Sequence, residues 1–169
     1  VKDKVIDLGG NAMMQRNEPL RMDVQCKNAR VAAGELAAVA RQNQLILTRG
    51  NGQQVGLLAM QAEAFKGAQP YPFDVMGAAT EGMIGYILEQ ELGNILGYDV
   101  PVATLLTRVE VDANDPEFTD PSKFIGPTFE REQIDALIAE YGWTFRQDGR
   151  KWRRVIASPQ PRRILWHRP

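Results

Sequence analysis

Twice in its first third the chain runs an apolar stretch into a glycine-asparagine turn and then into a helical pattern. The first instance is Val5-Ile6-Asp7-Leu8-Gly9-Gly10-Asn11-Ala12, and the second is Leu45-Ile46-Leu47-Thr48-Arg49-Gly50-Asn51-Gly52-Gln53-Gln54-Val55-Gly56. An extended run that stops at glycine lets backbone N–H groups approach a ligand closely, and a helix starting there adds partial positive charge. Two such turns point to one anion site, with phosphate or carboxylate as the natural guest. A single strand-Gly-Gly turn is more often a simple tight connection, because glycine is the default residue for strained φ values. Repetition, with asparagine after each, is what favours a ligand.

The pattern around these turns is that of an α/β fold. Residues 4–8 read as a short buried strand, and residues 21–42 as a helix with apolar Val24, Val31, Leu36 and Val39 and many alanines, stopped near Asn43. A second strand spans 45–48 and a helix 55–66. After Pro70-Tyr71-Pro72 a longer helix covers 75–96, with Gly77, Gly82 and Gly85 permitting close packing, and a third strand follows at 102–109. This order predicts right-handed crossovers and a parallel sheet covered on both faces.

Beyond Glu110 the character changes. Residues 112–121, rich in Asp, Asn and Pro, read as an exposed loop leading to Lys123-Phe124-Ile125-Gly126-Pro127. Residues 130–141 read as a helix capped near Thr128 and closed by Gly142, and residues 143–146 and 151–156 flank Asp148-Gly149, a hairpin signal. The expected organisation is an acceptor-side α/β domain over 1–111, a small protruding helix-hairpin flap over 112–157, and a truncated or divergent tail over 158–169.

Composition narrows the partners. Lys plus Arg number 20 against 21 Asp plus Glu, a net charge of -1, so overall charge favours no polyanion. From Arg146 onward, however, eight basic residues face Asp148 alone. Trp143, Phe145 and Trp152 alternate with these arginines, which raises nucleic-acid binding, yet a hairpin with solvated arginines explains the same residues and no nucleic-acid partner is expected. The lone Cys26 permits no intrachain disulfide, and an intracellular, cytoplasmic compartment is expected. No stretch has the length of a membrane span, and Val1 in place of Met suggests a trimmed start. His167, the only histidine, sits in the C-terminal fringe, and Met13-Met14 read as packing residues. Neither a dinucleotide fingerprint nor a Gly-Lys-Ser/Thr phosphate loop is present.

A set of motifs in order resembles carbamate kinase. They are Leu8-Gly9-Gly10-Asn11-Ala12, Gly50-Asn51-Gly52 with Gln54-Val55-Gly56-Leu57-Leu58, Gly82-Met83-Ile84-Gly85-Tyr86, Leu106-Thr107-Arg108-Val109-Glu110-Val111, Lys123 with Ile125-Gly126-Pro127, and Trp152-Arg153-Arg154-Val155 with Ser158-Pro159. The resemblance runs from about Lys4 to Leu165. It implies the amino acid kinase fold, an α/β/α sandwich of which this chain resembles the N-terminal half. It also implies phosphoryl transfer between ATP and carbamate, giving ADP and carbamoyl phosphate with Mg2+ assisting, and a homodimer. Such transfer asks the protein mainly for positioning and charge neutralisation.

The same resemblance implies the roles of residues. Gly9, Gly10 and Asn11 should face the transferred phosphoryl group, with Gly10, Asn11 and Lys123 as the catalytic set. Gly50, Asn51 and Gly52 should hold the carbamate end through backbone N–H groups, and Lys123 should reach in from a loop of the flap to neutralise charge on carbamoyl phosphate. Without the resemblance Lys123 would read as a solvated loop lysine.

Departures from the family pattern are Asp7 in place of a small apolar residue, Arg49 in place of His, Gln53 in place of Pro and Glu81 in place of Gln. A carboxylate beside a phosphate turn is costly to bury or repels the ligand, and Arg49 is positioned in sequence to offset it. Carbamate kinases continue for a comparable length again, and that second half carries the nucleotide pocket and the acidic residues that organise the metal. The resemblance therefore implies the acceptor-side half of a kinase, inactive by itself. The alternative is a non-catalytic anion-binding, regulatory or dimerisation module derived from one.

Overall fold

The computed structural model describes residues 2–9, 12–15, 18–19, 21–65, 67, 69–97 and 99–165. The chain divides into two compact units, Val1–Leu106 and Thr107–Pro169.

In the first unit, strands β1 (Asp3–Leu8) and β2 (Gln44–Arg49) pair in parallel, joined through helix α1 (Met22–Ala40), and are followed by α2 (Gly52–Ala64) and α3 (Phe73–Leu96). Helix α1 lies against α3 because its buried face is made of small residues at helical spacing: Ala29, Ala33 and Ala37 are fully buried and Leu36 nearly so. The helix ends where the sequence places a stop, with Asn43 Nδ2 donating to Val39 O at 3.0 Å. Ala33, Leu36 and Leu92 form a core to which the strands contribute alternate residues, Ile6 and Leu8 from β1 and Leu45 and Leu47 from β2. A second core joins Met13 to Ala29, Ile84, Ile87 and Leu88.

Two expectations are corrected. Among the described residues the β1-β2 pair is covered on one face only: Val5 is 67% and Ile46 47% exposed, because both cores that hold the strands lie on the side of Ile6 and Leu47. Nor do residues 102–107 form a third parallel strand; the next strand, β3, is Arg108–Val111. Leu105 and Leu106 remain exposed, and Pro101 offers no N–H to a ladder. A side-chain anchor holds this segment instead, since Thr104 Oγ1 donates to Glu89 Oε1 at 2.7 Å. Thr104 also lies so near Gly85 that a Cβ there would collide with it, so one of the three helix glycines does permit close packing.

The second unit is antiparallel throughout. Strand β3 pairs with β7 (Pro161–Leu165), and β4 (Lys123–Phe129), β6 (Lys151–Ile156) and β5 (Thr144–Asp148) form a sheet in the order β4-β6-β5. Helix α4 (Arg131–Tyr141) buries Ile134, and Ile125 of β4 and Val155 of β6 are likewise buried. Its N-cap is Glu130, not a residue near Thr128: Glu130 and Gln133 form a reciprocal capping box, whereas Thr128 belongs to β4. The hairpin turn falls at Gly149-Arg150, one residue beyond the sequence signal, because Asp148 is itself paired with Lys151. Gly126, at φ 70, opens a register shift in β4 beside Pro127, which could not donate to the ladder anyway. Among the described residues no helix is long and apolar enough to cross a membrane.

Gly142 closes α4 in the left-handed region at φ 67, and its N–H donates to Ile138 O at 2.8 Å. Gly142→Ala is expected to lower the stability of this unit by about 1 kcal/mol, because a Cβ is disfavoured in that conformation. The midpoint of denaturant unfolding measures this, and an unchanged midpoint would refute it.

Candidate functional site

The parallel register brings the two glycine turns together. Leu8 is paired with Arg49, so Gly9 and Gly50 leave neighbouring strands at the same end. Gly9, Gly50 and Gly52 are not among the positive-φ glycines of the described residues, and a Cβ on any of them would meet nothing within 4 Å. Neither backbone strain nor internal crowding therefore requires glycine at these positions. What the missing side chains leave is open space at the strand ends, where main-chain N–H groups can be approached. Gly10 and Asn11 lie outside the described residues, as does His167.

Helix α2 starts at this place, at Gly52, with no acidic residue in its first turn to neutralise its positive end. Asn51 precedes it but does not cap it through its side chain. Its Nδ2 donates instead to Gly77 O at 3.1 Å and to Thr80 Oγ1 at 2.9 Å, which fixes the start of α2 to α3. Thr80 is buried and itself donates to backbone carbonyls of α3, so this anchor is rigid.

The departures at residues 7 and 49 fall on opposite faces of the strands. Asp7 is exposed and accepts from Thr48 Oγ1 at 2.8 Å, so its carboxylate carries no burial cost and is tethered across the strand pair. Arg49 shares the inward face with Leu8, its Nε donates to Gly50 O at 3.2 Å, and burial pushes its pKa below the usual guanidinium value. Thr48, not Arg49, is thus the observed partner of Asp7. Glu81 lies on α3, partly buried, directly after Thr80.

Behind the turns is a polar layer that the sequence reading missed. Ala12 N donates to Gly9 O at 2.9 Å, and Met13 and Met14 are almost completely buried, as expected for packing residues. Their main chain and sulfur are held by amides. Asn28 Nδ2 donates to Met13 O at 3.1 Å and to Glu18 Oε2 at 2.6 Å, Gln53 Nε2 to Met14 O at 3.3 Å, and Gln54 Nε2 to Met14 Sδ at 3.4 Å and Gln25 Oε1 at 3.2 Å. The available signal was Gln25, Asn28 and Gln54 on otherwise apolar helix faces.

In the second unit Lys123 is not on a loop. It is the first residue of β4, paired with Ile156, because the bulge at Gly126 still leaves a ladder for residues 123–125. Its side chain lines a cavity of about 390 Å³ with Glu117, Ser122, Phe124, Ser158 and Gln160. Glu117, in a short 3₁₀ turn, accepts from Ser122 Oγ at 2.5 Å, Ser122 N at 3.1 Å and Ser158 N at 3.1 Å, so it ties the residue before Lys123 to the segment entering β7. Asp115 accepts from Glu117 N at 2.9 Å and Gln160 N at 3.0 Å.

The basic C-terminal stretch finds acidic partners within this unit. Arg146 pairs with Asp120 at 2.7 Å, Lys151 with Glu130 at 2.8 Å, Arg153 with Asp148 at 2.9 Å and Arg163 with Glu110 at 2.6 Å, and Arg162 pairs with Asp112. The interleaved aromatics pack on their neighbours: the Arg154 guanidinium lies 4.1 Å from the Trp143 ring centre, and Phe145 meets Phe129 edge to face. No group of three or more His, Cys, Asp or Glu among the described residues is arranged to hold a metal ion.

Comparison with known proteins gives one consistent result. The chain is 55% identical over 165 residues to carbamate kinase of Rhizobium meliloti (strain 1021), covering 98% of this chain and 51% of that protein. Against the carbamate kinases of Haemophilus influenzae and Escherichia coli (strain K12) it is 50% identical, covering 53% and 55% of those proteins. A solved structure from Aeropyrum pernix K1 superposes with a TM-score of 0.88 at 35% identity, over 97% of this chain and 55% of that one. The structure of Giardia lamblia carbamate kinase bound to AMP-PNP superposes with a TM-score of 0.80 at 36% identity, over 97% and 54%. No family model matches. The chain thus spans about half the length of the curated relatives it matches, and its fold is that of the corresponding half.

The carboxylates of Glu117 and Asp115 provide a pH test. Hydrogen bonds from Ser122 hold Glu117 below the usual carboxylate range, and main-chain N–H groups of Glu117 and Gln160 do the same for Asp115. Since both pKa values are depressed by folding, their stabilisation is fully present above the ordinary carboxylate range and is lost as pH falls through the lower folded values. The amide resonances of Ser158 and Gln160 should therefore titrate below the ordinary carboxylate range, after most surface carboxylates have begun to protonate. Titration at or above the ordinary carboxylate pKa would refute the tether.

Proposed function

We propose, for a chain homologous to the carbamate kinases across about half of their length, that it carries the acceptor side of a phosphoryl-transfer site and binds carbamoyl phosphate or carbamate. The observation that carries this reading is the pair of open glycine turns at neighbouring parallel strand ends, next to the unneutralised start of α2.

In the reaction of the whole enzyme, carbamoyl phosphate and ADP give ATP and carbamate. An oxygen of the ADP β-phosphate forms a bond to the phosphorus, the bond to the carbamate oxygen breaks, and carbamate leaves with the electron pair. We assign Gly9, Gly10 and Asn11 to the transferred phosphoryl group, and the main chain of Gly50, Asn51 and Gly52 to the carbamate end. Lys123 neutralises phosphate charge, a role its exposed ammonium at a cavity edge suits. The adenine nucleotide is assigned to the half of the relatives that this chain does not span. Magnesium would screen the nucleotide phosphates there; the described residues include no acidic cluster fit to hold it, so no role of this chain runs through it. A cytoplasmic homodimer is proposed on the same homology.

Calorimetry with carbamoyl phosphate and an assay for ADP-dependent ATP formation test these assignments together. Binding without turnover is expected for the 169-residue chain, and absence of binding would favour a non-catalytic module retained for other reasons. Gly50→Ala should leave the melting temperature unchanged, since its Cβ meets no protein atom, and abolish binding by occupying the ligand's space. Lys123→Ala should weaken binding by about tenfold or more with little effect on stability, as expected for a lost charge-assisted contact. Equal losses of binding and stability would sink the Lys123 assignment.

A further inference from the structure

We propose that Gln54, supported by Gln53, is a positioning residue that couples the two glycine turns through Met14, so that they move as one unit. Both glutamines belong to the first turn of α2, which begins at Gly52 in the second glycine turn. Both donate to Met14, Gln53 to its carbonyl at 3.3 Å and Gln54 to its sulfur at 3.4 Å. Met14 in turn follows the first glycine turn, whose main chain is closed by Ala12 N on Gly9 O. A short path thus runs from each turn to a shared buried methionine, along the chain from the first turn and through the glutamine hydrogen bonds from the second.

The chemistry of Gln54 argues against simple packing. It is 1% exposed, its Nε2 is shared between Met14 and Gln25, and its Oε1 is buried with no hydrogen-bond partner among the described residues. An acceptor left in that state disfavours folding relative to an apolar side chain of the same shape. A residue selected only to fill this space would be methionine or leucine. The amide makes sense where its directional N–H bonds fix the position of Met14. Gln53 adds a bond that proline, the residue expected there from the resemblance, could not make, because proline has no side-chain donor.

Two variants test the coupling. Gln54→Met keeps the volume and removes the directional bonds, exchanging the unpaired Oε1 of Gln54 for the Oε1 of Gln25, which loses its Gln54 donor. Gln53→Ala alters an exposed side chain and deletes only the bond to Met14 O. The amides of Ala12 and Gln15, hydrogen-bonded to Gly9 O and Glu18 Oε2, report on the first turn by hydrogen exchange. Both variants should exchange at these amides about tenfold faster while the melting temperature stays within about 2 °C. A purely structural role would instead lower the melting temperature and leave the ratio of local to global exchange unchanged, which would overturn the proposal. Unchanged exchange at Ala12 and Gln15 in both variants would also overturn it.

A second measurement, the dissociation constant for carbamoyl phosphate, rests on the reading given under Proposed function and should rise by about tenfold in both variants. If the unaltered chain binds no carbamoyl phosphate, that reading fails and the exchange results still decide the coupling. If it binds and the variants bind equally well, the coupling does not serve the ligand and the proposal is wrong.

Discussion

Parallel pairing of two six-residue strands governs everything that follows in the first unit. With Asp3 opposite Gln44 and Leu8 opposite Arg49, both strands end at the same level, and both continue into glycine. A slip of one residue would turn the inward residues of the strand that moved, Ile6 and Leu8 or Leu45 and Leu47, away from the core and bring Asp7 or Thr48 toward it. The hydrophobic alternation that holds the fold together is therefore the same device that sets the height of the two turns. Stability and site geometry share one register.

That register also explains why the departures from the family pattern are tolerable. Asp7 is a problem only if it faces the core or the open strand ends without a partner. Alternation puts it on the exposed face, where Thr48 holds it. Arg49 lies on the other face and is half-buried, with its Nε on the next carbonyl. Each substitution is absorbed by a neighbour one strand or one residue away, and for Arg49 that neighbour is the main chain of the second turn itself, at Gly50 O.

Much of the architecture was legible because its signals are local. Helices α1 and α3 announced themselves through apolar spacing, Gly142 through its place after a periodic run, and the hairpin through a glycine between two β-rich segments. Misreadings came where distant contacts decide. Residues 102–107 have the composition of a strand, but nothing in that composition reveals that Thr104 is held by Glu89 and lies at Gly85. Lys123 looked like a loop residue because Pro121 and Pro127 bracket it, and only the bulge at Gly126 reconciles Pro127 with a ladder. For the site, the glycines were readable as a motif, whereas the amides beneath them were not. Gln25, Asn28 and Gln54 gain meaning only once three segments far apart in sequence converge on Met13 and Met14.

The contact between Gly85 and Thr104 constrains how this chain can change over generations. No side chain fits at residue 85 while threonine stands at residue 104, and even the Cβ of Thr104 is within 2.8 Å of where a new Cβ would sit. Residue 104, by contrast, meets no steric bar to smaller side chains while residue 85 is glycine, although one without a hydroxyl gives up the bond to Glu89. The two positions therefore have a one-way order of substitution: Thr104 has to give way before Gly85 can, and lineages that retain a β-branched residue at 104 are locked to glycine at 85.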